Sequence, residues 1–210
     1  MAAPQPRGKS ILIGCAALAA AVLLLGVFAV MQGKRKMDAF LCTGNVSALA
    51  SSLTMYAANY HAYPAADKWC EAVTEFTRTR AYLKCPARPD LECGYAFNAA
   101  LAGMRPEDTK SNPDDTVVVF ESDRGWNAAG GIELLPEKPR HDGADVYGFV
   151  GGVPTTHFEH AASVPREAVV SGKTSLVWDP TEGTRKPSGR GKPLPSGARG
   201  EAGSDLPANE

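Results

Sequence analysis

The chain has 210 residues, a formal net charge of −1 and 44% hydrophobic residues. That length holds one domain of ordinary size plus extensions. The balanced charge, with no basic stretch interleaved with aromatics, leaves no footprint for nucleic acid, so no nucleic-acid partner is expected.

The apolar content is uneven. Much of it lies in ILIGCAALAAAVLLLGVFAVM, Ile11 to Met31, which carries no charge and no proline. About 20 such residues in a helix cross a hydrocarbon core, and a buried soluble helix is rarely apolar all round for so long. A cleaved signal peptide has a shorter apolar core followed by a small-residue cleavage site. This run continues instead into Gln32-Gly33-Lys34, so it is read as an uncleaved signal anchor, with residues 1–10 on the cytoplasmic side. Leu12-Ile13-Gly14-Cys15 has the letters of a lipobox, but here the apolar core follows the cysteine. Cys15 is therefore read as a small apolar residue of the span.

Beyond the span, Val46, Leu49, Leu53, Tyr56 and Tyr60 recur at steps of three and four, one face of a helix that Pro64 is expected to end. The helix should start in the membrane and continue outward, with Gly44 as a place where it bends. DKWCEAVTEFTRTRAYL predicts a second helix with Trp69, Val73 and Phe76 in the core. GYAFNAALAG reads as a strand entering a turn. TVVVFES, preceded by the turn-forming SNPDD, is the clearest strand. GGIELL and ADVYGFV read as two more, and TSLVWDP as the last. From Thr181 onward proline, glycine, serine and charge dominate, the composition of a disordered tail, 181–210. Helices followed by a run of strands predict an α+β domain over 32–180, an antiparallel sheet packed on the N-terminal helix with one buried face.

Four cysteines lie outside the span: Cys42, Cys70, Cys85 and Cys93. Their spacing is not zinc-like, since no C-x-x-C occurs. An even number crowded into half a small domain suits disulfides in an oxidising compartment. Three pairings are open, and the short loop through Pro86 and Pro89 favours Cys85 with Cys93. Orientation signals disagree. Arg7 and Lys9 precede the span and Lys34, Arg35 and Lys36 follow it, which alone favours a cytoplasmic domain. The cysteines favour the other side.

The ordered motifs CTGNVSALASSLTMYAANYHAYP, WCEAV, YLKCPA, GYAFN, DTVVVFES, GWNAAGGIELL and RHDGADVYGFVGG resemble those of bacterial pilin-like, prepilin-type processing-associated proteins, over about Cys42 to Pro180. In that family's signature a histidine is followed, after nine residues, by Asp-Gly. Here His141 is followed at that place by Gly151-Gly152, so a role needing the family's aspartate is in doubt. The peptidase site of type IV prepilins and the glutamate their subunits use to join a fibre are also missing before ILIGCAALAA. The resemblance implies a pilin-like fold and an extracytoplasmic domain on a single-pass protein of the cytoplasmic membrane. Its expected function is non-enzymatic: a structural or assembly component of the envelope, alongside a type II secretion or type IV pilus-like system, whose proteins would be its partners.

Candidate chemistry centres on His141, which could join Glu121, Asp123, Asp142 or Asp145 as a ligand or metal site. That gives the alternative function of a membrane-tethered binding module. His157 and His160, with Glu159, have a spacing that suits a metal only if helical. The simpler reading, adopted here, is that His141 braces a turn, that Gly143, Gly148, Gly151 and Gly152 build a tightly turned sheet, and that Trp126 anchors a loop. No nucleophile or phosphate-loop motif appears, so no catalytic residue, cofactor or metal is expected.

Overall fold

A computed structural model of the chain describes residues 7–151 and 160–182, with side chains from Leu18 onward. The expectations for Gly152, for a His157–Glu159–His160 ligand set apart from His160, and for residues 183–210 of the tail lie outside the described residues.

Helix α1 (Arg7–Tyr60) is unbroken over 54 residues, about 80 Å at the α-helical rise. Its two parts differ in environment. Apolar side chains between Leu18 and Met31 are exposed, Leu24 at 71% and Val30 at 73%. This part is long and apolar enough to cross a membrane by length and composition. From Cys42 onward, Cys42, Val46, Leu49, Ala50, Leu53 and Ala57 are buried on one face. The helix is not interrupted at Gly44, where Cys42 and Val46 on either side are packed into the domain. The helix stops at Tyr60, before Pro64, because His61 takes a left-handed conformation (φ 57).

Helix α2 (Trp69–Thr77) is shorter than its apolar pattern, since Arg78 also turns left-handed (φ 55) and its N–H bonds back to Thr74 O. Trp69 and Val73 are fully buried, and Phe76 packs edge-on against Tyr56 and Tyr60. A 3₁₀ turn over Ala81–Leu83 follows.

Five strands form one sheet: β1 (Tyr95–Asn98), β2 (Val117–Glu121), β3 (Ala129–Gly130), β4 (Ala144–Phe149) and β5 (Ala161–Pro165), in the order β3-β1-β2-β4-β5. The chain is thus α+β, but the sheet is mixed. The short β1–β3 pair is parallel and the others antiparallel. Two expected strands are corrected. In GGIELL, Ile132–Leu134 is a 3₁₀ turn, and in TSLVWDP only Val177 bridges to Thr116. The fifth strand lies instead in AASVP, whose small residues carry no alternating pattern and which forms by pairing along β4.

Both sheet faces are covered, not one. Tyr95, Phe97, Val118, Val119 and Val146 share a core with α1 and α2. Ala96, Val117, Phe120, Tyr147 and Phe149 pack with Leu176 and with Val169 of the short helix α3 (Arg166–Val170). A register shift between Val117 and Val119 lets both Val118 and Val119 face α1. Contact between helix and sheet is closest at Gly148. A Cβ there would lie 2.8 Å from Val119 Cγ1, 2.9 Å from Val46 Cγ1 and 3.0 Å from Ala50 Cβ.

Candidate functional site

The stretch RHDGADVYGFVGG begins with a tight turn. Asp142 (φ 49) and Gly143 (φ 89) both have positive φ. His141 and Ala144 exchange N–H···O bonds of 3.1 and 3.0 Å. This is the handedness of a two-residue type I′ connection, for which Asp-Gly is a favoured pair. The turn aims His141 inward, where it is 7% exposed.

His141 Nε2 lies 2.9 Å from Glu121 Oε1. Glu121, the last residue of β2, is fully buried, and its Oε2 accepts the Val146 N–H at 3.0 Å. Cys85 Sγ lies 3.6 Å from the same Oε1, and Cys42 Sγ lies 2.7 Å from Cys85 Sγ. The four ligand-type atoms of Cys42, Cys85, Glu121 and His141 all fall within 4.8 Å of one another. Arg140 closes the cluster. Its guanidinium donates to Gly94 O (2.8 Å), Ser122 O (2.7 Å) and Asp123 Oδ1 (2.6 Å), and it stands 3.8 Å from Glu121 Oε1.

Burial shapes the charges here. It pushes the Glu121 carboxyl above its ordinary value, against the hydrogen bond and positive charge of His141 and the charge of Arg140. Burial also pulls the His141 imidazolium down, but bonds to Cys85 and Glu121 outweigh it and raise its pKa to about 9. His141 is thus cationic at neutral pH beside the buried Glu121 side chain. In the dithiol, the hydrogen bond with Cys42 leads His141 and Arg140 in lowering Cys85, against its burial, while Cys42 is pushed up.

Each group that could act as base or nucleophile is buried. A general base must reach the proton it removes, and here burial keeps substrate from these atoms. The arrangement suits internal bracing, cation capture or sulfur cross-linking.

The structure brings together two of the expected ligand residues, His141 and Glu121. Asp123 is turned to Arg88 (2.7 Å) and Arg140. Asp142 is exposed on the turn, and Asp145 sits on the opposite face with Arg166 at 2.5 Å. Trp126 is a loop anchor: its Nε1 donates to Glu71 Oε1 at 2.9 Å, and Arg80 lies over its ring at 4.8 Å. At Gly151, a Cβ would collide with the Asp114 carboxylate and lie 2.8 Å from the Asp114 N and Pro113 C atoms. A side chain at 151 would therefore force the Pro113–Asp114 backbone to shift.

The expected Cys85–Cys93 pairing is corrected. The loop between them does close, with Gly94 N–H bonded to Leu83 O at 2.8 Å. Yet Cys85 faces Cys42 on α1, and Cys93 hydrogen-bonds with Cys70 on α2. Sequence reasoning also missed Cys42, Cys85 and Arg140 as members of the His141 cluster. A signal existed for Cys42, which precedes Val46 by one helical turn on the buried face. Comparison with protein-family models, curated proteins and solved structures gives no match to this chain.

Proposed function

We propose that the chain is a non-enzymatic, membrane-anchored, pilin-like structural or assembly component of the bacterial envelope. Its domain, 32–180, lies outside the cytoplasmic membrane, and it serves a type II secretion or type IV pilus-like system. The observation that carries the reading is the division of labour along α1. One unbroken helix has an exposed, wholly apolar part and a part whose face, from Cys42 to Ala57, is packed into the domain core. Such an element holds a folded domain at a membrane surface. The burial of Glu121 and His141 supports a scaffold over a ligand-binding module, because a ligand site is concave and open.

The test is extraction with alkaline carbonate, protease treatment of intact spheroplasts, and photo-crosslinking from Met37 and Met55, both more than half exposed. The expected result is a protein that stays with membranes, loses its domain to external protease and crosslinks to envelope proteins. Release by carbonate, or a domain protected from external protease, would refute it.

A further inference from the structure

We propose that the protein carries two disulfides, Cys42–Cys85 and Cys70–Cys93, which staple the segment between α2 and β1 to α1 through Cys85 and to the start of α2 through Cys93. The proposal rests on the extracytoplasmic placement of the domain, where thiols are oxidised.

The four sulfurs are all fully buried, and they meet in two separate pairs. At 2.7 Å, Cys42 Sγ and Cys85 Sγ are inside non-bonded contact, and a small approach brings them to the ~2.05 Å of an S–S bond. Zinc is the competing occupant, since Glu121 and His141 complete a four-ligand set. Two thiolates at ~2.3 Å from one tetrahedral zinc stand about 3.7 Å apart. The observed sulfurs are a full ångström closer than that, so the geometry points to a bond between them. Position favours the same answer. Cys42 lies on α1, Cys85 follows the 3₁₀ turn, Cys70 is in the first turn of α2, and Cys93 stands two residues before β1. The segment from Trp69 to Cys93 contributes no strand to the sheet, so one bond between its ends and a second from Cys85 to α1 hold a stretch that strand pairing does not.

Each bond forms from two thiols with loss of two protons and two electrons. The electrons pass to the disulfide of a thiol–disulfide oxidoreductase, which leaves as a dithiol. The exchange takes place while the chain folds, before Cys85 is buried: its thiolate attacks the carrier disulfide and forms a mixed disulfide. Cys42 then displaces the carrier from Cys85.

The full-length protein is quenched in acid from intact cells, alkylated in denaturant and mapped by mass spectrometry without reduction. Linked peptides joining Cys42 to Cys85 and Cys70 to Cys93 are expected, each pair two hydrogens lighter than its dithiol. A Cys85–Cys93 link, any other cross-pairing, or four alkylated thiols overturns the proposal. So does stoichiometric zinc in protein purified without chelator. Protease treatment of spheroplasts is scored in parallel. Free thiols in a domain cut from outside defeat the cross-links alone, whereas free thiols in a protected domain defeat the extracytoplasmic reading as well.

Discussion

Replacing Glu121 with leucine deprives two buried donors of their partner, the Val146 N–H at 3.0 Å and His141 Nε2 at 2.9 Å. A stranded buried N–H costs about 1–3 kcal/mol. An unpaired buried cation costs about 3–5 kcal/mol, but His141 limits that loss by giving up its proton. The expected cost of Glu121→Leu is about 3–5 kcal/mol, a large share of the ~5–15 kcal/mol that holds a domain together. Glu121→Gln keeps an oxygen for Val146 and should cost about half as much. Adding His141→Leu to Glu121→Leu removes both charges, so the double variant should recover at least ~1–2 kcal/mol relative to additivity. Denaturant unfolding of the detergent-solubilised chain, followed by the fluorescence of its three tryptophans, measures all five proteins, the His141→Leu single variant included. A Glu121→Leu cost below about 1 kcal/mol, or strict additivity of the pair, would refute the reasoning.

The folded pKa of His141, about 9, lies above its ordinary 6.5. Its stabilisation is therefore complete below pH 6.5 and lost as pH rises through 9. The stability difference between wild type and His141→Gln should fall by on the order of 2–3 kcal/mol across that window, and by less when Cys85 is cross-linked, because the Cys85 share of the shift then disappears. A difference that is flat from pH 6 to 10 would contradict it. Gly148→Val drives a side chain into Val119, Val46 and Ala50, so thermal unfolding should show a loss of about 1–3 kcal/mol. Gly151→Asp should be destabilising by a similar ~1–3 kcal/mol through collision with Asp114 and the Pro113–Asp114 backbone. Asp114→Ala should relieve part of that loss, and a Gly151→Asp variant more stable than wild type would dismiss the steric account.

Elements whose own side chains repeat with a structural period were readable from the sequence. The buried face of α1 follows Val46, Leu49 and Leu53, and β2 follows the β-branched run Val117–Val119. β5 was not readable, since Ala161, Ala162 and Ser163 have no preference that outweighs what β4 offers as a pairing edge. Nor was β3, two residues long and made only by its contact with β1. His141 and Glu121 could be named as residue types worth joining, but their meeting depends on a turn and a strand end far apart in the chain. The cysteine partners were hidden for a related reason. Proximity along the loop favours Cys85 with Cys93, while α1 and α2 draw those two side chains apart.

The continuity of α1 through Gly44 couples its exposed apolar part directly to the part packed in the domain. The stretch from Met31 to Tyr60 is about 43 Å long at the α-helical rise. If the exposed apolar part crosses a bilayer, a change of about 20° in its tilt, the scale on which spans adjust to bilayer thickness, swings the far end of a rigid rod by about 15 Å. The domain would move with the rod, so bilayer thickness would set where the sheet is presented and at what height.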